Sequence, residues 1–405
     1  MKINIPLLLW ITFLDILALS IFFGTSIPLI LAPNSILLGA ISQHDLIYGF
    51  TLAILPIGQF LIGPIWGQLA DQYGRKRILT TTLFCSTIGF LIMALAIDEK
   101  LFWLFIIGRA FSAIVAINGA IAQASMADFS QGIQKTKRFN WQFIMVSFGF
   151  IVGPYFIQST THNIHFSHVY WGVAIFYAIT GLLVYSTFTE TLTNISKQKI
   201  SWVKNFDHIF ILFQQKSLRK ILLVWCVFQI GWSLFFQFSG EFLYSGRHLP
   251  NEAINQLFSW VGAGVLLTQI LLVQPVAKKI LPVQIVPWAI IAVGLSLLFG
   301  GLVPMGVWFY ITLAFYCIGI GFFLTNFNTY ISNLTTNTQQ GRIMTLLTAG
   351  QAGMTILVTL FGNYIATKYL ATPYVIGGAI ILFSVLFWIL HDKNGRLAYA
   401  KQANN

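Results

Sequence analysis

The chain alternates long apolar runs with short polar joints. The runs occupy residues 7–31, 45–69, 78–96, 101–126, 139–159, 169–188, 221–243, 254–277, 283–303, 307–331, 343–366 and 374–390. Each is near the roughly 20 residues that a helix needs to cross the hydrocarbon core of a bilayer. A membrane barrel would show short alternating segments instead. The pattern predicts an all-α integral membrane protein with twelve transmembrane helices, six on either side of the polar stretch at residues 189–219. The first run is too long for a cleavable leader and contains Asp15, so it is expected to stay as the first helix.

Composition agrees with this reading. Hydrophobic residues make up 57% of the 405 and charged residues 8%, whereas soluble domains carry about a quarter charged. With the N-terminus placed in the cytoplasm, nearly all bases fall on that side, among them Arg75, Lys76, Arg77, Lys135, Lys137, Arg138, Lys278, Lys279 and Arg342. Only Lys100, Arg247 and Lys368 fall outside, and Arg109 lies within a span. This asymmetry predicts a multi-pass protein of a bacterial inner membrane with both termini cytoplasmic. It accounts for the net charge of +12 and leaves no soluble domain to hold nucleic acid. Cys85, Cys226 and Cys317 fall inside spans and read as small buried hydrophobes. The predicted organisation is a six-helix bundle over 1–190, a cytoplasmic loop over 191–219, a second bundle over 220–392 and a cytoplasmic tail over 393–405. In the loop, Trp202, Phe206, Ile209, Phe210 and Phe213 recur at helical spacing, which fits either an interfacial helix or a solvated linker.

The stretch Gly67-Gln-Leu-Ala-Asp71-Gln-Tyr-Gly74-Arg75-Lys76-Arg77 concentrates charge between the second and third runs. Gly67 is expected to let spans pack closely, and Gly74 to take a positive φ in a tight turn. Asp71 stands at the C-terminal end of its helix, where negative charge is disfavoured, so it calls for an outside partner. A faint echo, QPVAKKILPVQ over 274–284, follows the eighth run and hints at an internal duplication.

The 67–77 stretch resembles the signature loop of the major facilitator superfamily. Narrower features are similar to its twelve-span drug:proton antiporters, in the tetracycline-resistance-like branch. They are Asp15 followed by Pro28, Gly108-Arg109 in the fourth span, Gly149-Phe-Ile-Val-Gly153-Pro154 in the fifth, and Phe188-Thr-Glu-Thr191 at the end of the sixth. The fifth-span motif departs from the pattern at Ile157 and Gln158, where a glycine pair is usual. The resemblance implies that Asp71, with Gly67, Gly74, Arg75 and Arg77, gates the cytoplasmic side, and that its partner lies near Arg342.

Counted at about 1.5 Å per residue, Asp15 lies roughly 12 Å from the start of its run and Arg109 roughly 14 Å from Lys100. Both are near the midplane, where charge is costly and commonly functional. They are expected to pair, directly or through polar groups or water, either as a proton-coupling device or as a static ion pair. The same count puts Glu241 about 31 Å from Lys220, at a solvated outer rim. Asn118, Gln123, Gln229, Gln237, Asn326 and Asn328, with Gln59 and Gln351, are amides within spans, and Trp232 lies between two of them. All but Gln59 and Gln351 are taken, with Trp232, as candidates for a neutral substrate cavity. His162, His165 and His168 read as a wet loop, not a metal site.

No nucleotide-binding loop or metalloprotease motif is present. The expectation is a secondary transporter and not an enzyme, needing no cofactor, metal or oligomer, with protons, a small molecule and the bilayer as partners. Proton-driven export of amphipathic compounds leads. Proton-coupled uptake of a metabolite or siderophore is the alternative, and a non-transporting sensor or scaffold on the same fold is a third reading. Single-cysteine labelling tests the orientation: a cysteine at Ser196 should react only from the cytoplasmic side, and labelling confined to the outside contradicts it.

Overall fold

The computed structural model describes residues 4–32, 34–39, 44–128, 132–160, 165–191, 216–277, 279–333, 347–348, 350–362 and 371–403. Among these there is no strand beyond an isolated bridge between Ser35 and Gly39. Ten helices are long and apolar enough to cross a membrane, and two shorter apolar helices cover Gly350–Gly362 and Pro373–Ile389. The protein is a multi-pass integral membrane protein with an all-helical fold.

The chain divides into two compact units. The first comprises Met1–Trp202 with Leu249–Trp260, and the second Val203–His248 with Val261–Asn405. In the first, α1 (Ile5–Ser26) starts on Asn4, whose Oδ1 accepts from Leu7 N at 3.2 Å. It runs on as a wider π-helical turn over Ile27–Leu31, where Pro28 supplies no N–H. Next come α2 (His44–Tyr73), α3 (Arg75–Asp98), α4 (Phe102–Ile114), α5 (Asn118–Asp128), α6 (Gly132–Thr160) and α7 (Phe166–Thr187). α4 and α5 form one span of 25 residues, Phe102–Met126, interrupted at residues 115–117.

Water is absent from the bilayer core, so helices gain by close approach of their backbones. The motif glycines of α6 serve that end. A Cβ at Gly149 would stand 2.8 Å from Ile16 Cγ2, and one at Gly153 would collide with Ser20. Ser20 Oγ donates to Gly149 O at 3.0 Å, so α6 lies directly on the part of α1 that carries Asp15.

The second unit contains α8 (Lys216–Glu241), α9 (Asn251–Leu267, shared with the first unit), the single turn α10 (Gln274–Ala277), α11 (Pro282–Leu302), α12 (Val307–Asn333), α13 (Gly350–Gly362) and α14 (Thr372–Ala403). Gly377 and Gly378 of α14 fit between two neighbours. A Cβ at Gly231 of α8 would be 2.5 Å from Gly377 O, and one at Gly378 would be 2.6 Å from Gly294 O of α11. Stacked rings of Trp225, Phe228, Phe323 and Phe327 fill the space between α8 and α12, with Phe228 and Phe323 centroids 3.7 Å apart.

Two expectations need correction. Glu241 is 3% exposed, so its side chain is packed in protein and not solvated. The span does not end there but runs on through a π-helical turn over Phe242–Gly246. A Cβ at Gly67 would meet nothing within 4 Å, so no close helix contact requires that glycine. The last helix continues to Ala403. The candidate interfacial helix over 191–219, Arg342 and His162 fall wholly or mostly outside the described residues.

Candidate functional site

The interruption of span four builds the site. Asn118-Gly119 is a turn-forming pair, and α5 begins there after three residues outside the α-helical ladder. A break inside a membrane frees main-chain groups that must be satisfied by protein. Here each neighbouring helix contributes. Trp66 Nε1 of α2 donates to Ile114 O at 2.8 Å, and Gln59 Nε2 donates to Ala116 O at 3.1 Å. Gly58 lets α2 come this near, since a Cβ there would stand 2.6 Å from the carbonyl carbon of Ala113. Gln142 Nε2 of α6 donates to Gly119 O at 3.1 Å and to Thr12 Oγ1 of α1 at 3.2 Å.

The free amides at the start of α5 face Asp15. Its Oδ2 accepts from Gly119 N at 2.7 Å. Its Oδ1 accepts from Asn118 Nδ2 at 3.1 Å and from Tyr177 OH at 2.9 Å. A carboxylate at a helix N-terminus is favoured by the oriented amides and the helix dipole. Tyr177 is itself fixed, buried and stacked on Phe90 with centroids 5.4 Å apart. Asp15 is half-buried as a residue, with both carboxyl oxygens engaged by these donors.

Arg109 makes no direct contact with Asp15, so of the expected arrangements the direct ion pair is the one not formed. The two share a depth but not a position: Arg109 is 4% exposed and its guanidinium lies 3.5 Å from the ring centroid of Phe22. Three neutral donors take the place of the arginine at Asp15.

At the joint between α2 and α3, Asp71 Oδ1 pairs with Arg75 Nη2 at 2.8 Å, one turn on. The acid that the sequence left without a partner therefore has one in its own loop. Gly74 takes φ +94° as expected. Close by lies a group that the sequence reading did not assign: Glu190, in the Phe188–Thr191 stretch, accepts from Arg75 N at 2.9 Å, Lys76 N at 3.1 Å and Thr191 N at 2.9 Å. It caps α3 with the end of α7. Arg77 lies over the ring of Tyr73.

The amide candidates divide between the units. Asn118 is buried beside Asp15, and Gln123 is half-buried on α5. In the second unit, Gln229 and Gln237 are buried on α8, each with an amide atom that finds no partner. Trp232 stacks on Phe236 at 4.8 Å and donates to Tyr316 OH at 3.3 Å. Asn326 is buried and donates to Phe322 O of its own helix, while Asn328 is half-buried. Tyr177, Trp66 and Gln142 were missed as well. The Asn-Gly pair was the one available signal, since it marks a turn inside an apolar run.

With ten long apolar helices and a broken, acid-capped span, the chain has the features of a helical membrane transporter fold. The sequence profile of the Major Facilitator Superfamily matches residues 14–359, and the chain belongs to that superfamily. It is 32% identical over 115 residues to the tetracycline resistance protein of class C from Escherichia coli, a match covering 28% of each chain. It is 30% identical over 156 residues to the class H protein from Pasteurella multocida, covering 38% of this chain and 36% of that one. These matches span well under half the length of the curated relatives. Among solved structures, the human organic anion transporter MFSD10 (TETRAN) superposes with a TM-score of 0.77 at 15% identity, over 95% of this chain and 98% of that one, which shows a shared fold.

The α3 cap gives a testable coupling. A side chain at Gly74 would be strained by φ +94° and would collide with the Glu190 carboxylate. Gly74→Ala and Glu190→Ala should each lower the melting temperature of the purified protein. Together they should lower it by less than the sum, with a coupling of about 1 kcal/mol. Strict additivity would show that Glu190 does not hold this joint.

Proposed function

We propose that this protein is a proton-driven exporter of small amphipathic compounds, tetracycline-like ones included, and that Asp15 is the group that takes and releases the coupling proton. The observation that carries the reading is the carboxyl of Asp15, held within a span at the N-terminus of a half-helix. The partial similarity to tetracycline resistance proteins supports the direction of transport and the substrate class. Residence in a bacterial inner membrane, with both termini cytoplasmic, belongs to the same reading.

The mechanism follows from hydrogen-bond capacity. An ionised carboxylate only accepts, and its two oxygens satisfy the three donors of Gly119, Asn118 and Tyr177. A proton takes the acceptor site left on Oδ2, beside the bond from Gly119 N, and removes the negative charge that all three donors share. Bonds to a neutral acid are weaker than bonds to a carboxylate, so the hold on all three donors loosens. If the bond from Gly119 N gives way, α5 loses its cap, and the rest of span four can shift about residues 115–117. Proton binding and helix position become linked equilibria, as alternating access requires. Gln59, Trp66 and Gln142 limit the shift to a hinge by holding the carbonyls at the break.

Asp15→Asn fixes a neutral group with a donor of its own. In proteoliposomes, pH-driven accumulation of tetracycline per folded molecule should fall at least tenfold, while exchange at equal pH persists. A variant that still concentrates substrate against a proton gradient would remove Asp15 from the mechanism.

A further inference from the structure

We propose that Arg109 is a receptor for the ionised oxygen acid of an amphipathic substrate, such as a carboxylate or an enolate. The inference rests on the transport reading above and adds to it a chemical class of substrate.

Arg109 projects from α4 two turns into span four and is 4% exposed. Its Nε is shut from solvent and donates to nothing. Among the described residues no carboxylate pairs with it. Four acids of the first unit are engaged elsewhere: Asp15 by three donors, Asp71 by Arg75, Glu190 by main-chain amides and Asp98 by Trp171 Nε1 at 3.1 Å. The ring of Phe22 offers a cation–π contact. That contact compensates only part of the cost of burying a charge without a counter-ion. Such a cation is held at a net cost to the folded protein, and a counter-ion that arrives with the ligand would offset it.

The surroundings define the ligand. Phe22 covers one face of the guanidinium and Nε is buried, so an acceptor must approach in plane at the Nη edge. A planar group with two oxygens fits that edge with two parallel bonds. Tyr170 lies within electrostatic reach of Arg109, and its hydroxyl is 2.9 Å from Thr25 Oγ1. Phe90 and Phe105 pack around Tyr170 with centroids 6.1 and 6.0 Å away. Hydroxyls beside a cation suit an oxyanion, and the rings suit an apolar body. A lipid phosphate is a poor occupant, because Arg109 lies about 10 Å along the helix from Phe102 and is packed within the unit.

Equilibrium binding to the purified full-length protein tests this with three acid–amide pairs: benzoate and benzamide, 2-naphthoate and 2-naphthamide, dansylglycine and dansylglycinamide. At least one acid should bind the wild type tenfold or more tightly than its amide. Arg109→Met should bring that ratio to about one. It should also melt no lower than the wild type, since it removes an unpaired buried charge. Equal binding of acid and amide in every pair, no binding by any acid, or a preference that survives Arg109→Met overturns the inference. Loss of folded protein in Arg109→Met overturns it too, because the guanidinium would then be a structural member. The wild-type comparison needs no variant. Proton-driven tetracycline accumulation, measured in parallel, judges the transport reading separately. Failed accumulation with a retained acid preference sinks that reading and leaves Arg109 as an anion site.

Discussion

A carboxylate inside a membrane-spanning bundle needs donors, and the start of a helix inside a membrane needs acceptors. Asp15 and α5 answer each other's need. Without the interruption at residues 115–117 there would be no free amides in the span for the acid to meet. Without the acid, the first turn of α5 would leave amides unsatisfied where water is scarce, at several kcal/mol each. Much of the first unit is arranged around this exchange. Gly58 brings α2 to the break, Gly149 and Gly153 bring α6 to α1, and Tyr177 reaches in from α7. The superfamily motif in α6 therefore acts by placing a helix, and its glycines are needed for the space they leave.

The same principle, main-chain amides meeting a carboxylate, recurs at the membrane face, where Glu190 caps α3. The two sites differ in what they hold. Glu190 ties the ends of two continuous helices together and leaves Gly74 no room for a side chain. Asp15 caps a half-helix that continues, through a bend, into the rest of a span. The first arrangement joins two helix ends, whereas the second is the one proposed to respond to a proton. Arg109 belongs to neither, and its isolation from every described acid is what separates a coupling role from a binding one.

Much of the fold was legible in the sequence because the bilayer imposes a length on every apolar run. The run boundaries over 78–96 and 307–331 fall within or at the ends of the helices Arg75–Asp98 and Val307–Asn333. Gly74 was legible too, since a charged turn between two spans demands a positive φ. Depth was legible but azimuth was not. Counting residues put Asp15 and Arg109 at one level, yet side chains at one level on two helices can point to different neighbours. Asp15 meets Asn118, Gly119 and Tyr177, whereas Arg109 meets the ring of Phe22. Glu241 was misread because a residue count gives depth along the helix and not what packs over the side chain, which is 3% exposed. Span four looked continuous because its hydropathy is continuous, and only Asn118-Gly119 betrayed the break.

The central claim is that the charge on Asp15 holds the start of α5. Hydrogen–deuterium exchange of peptides covering residues 115–126, at one pH and in the same detergent, compares the wild type with Asp15→Asn most directly. The account predicts exchange at least fivefold faster in the variant over these residues, with no change in α3. Equal protection of this segment in both proteins would show that the carboxylate is not what caps the half-helix, and would contradict the account.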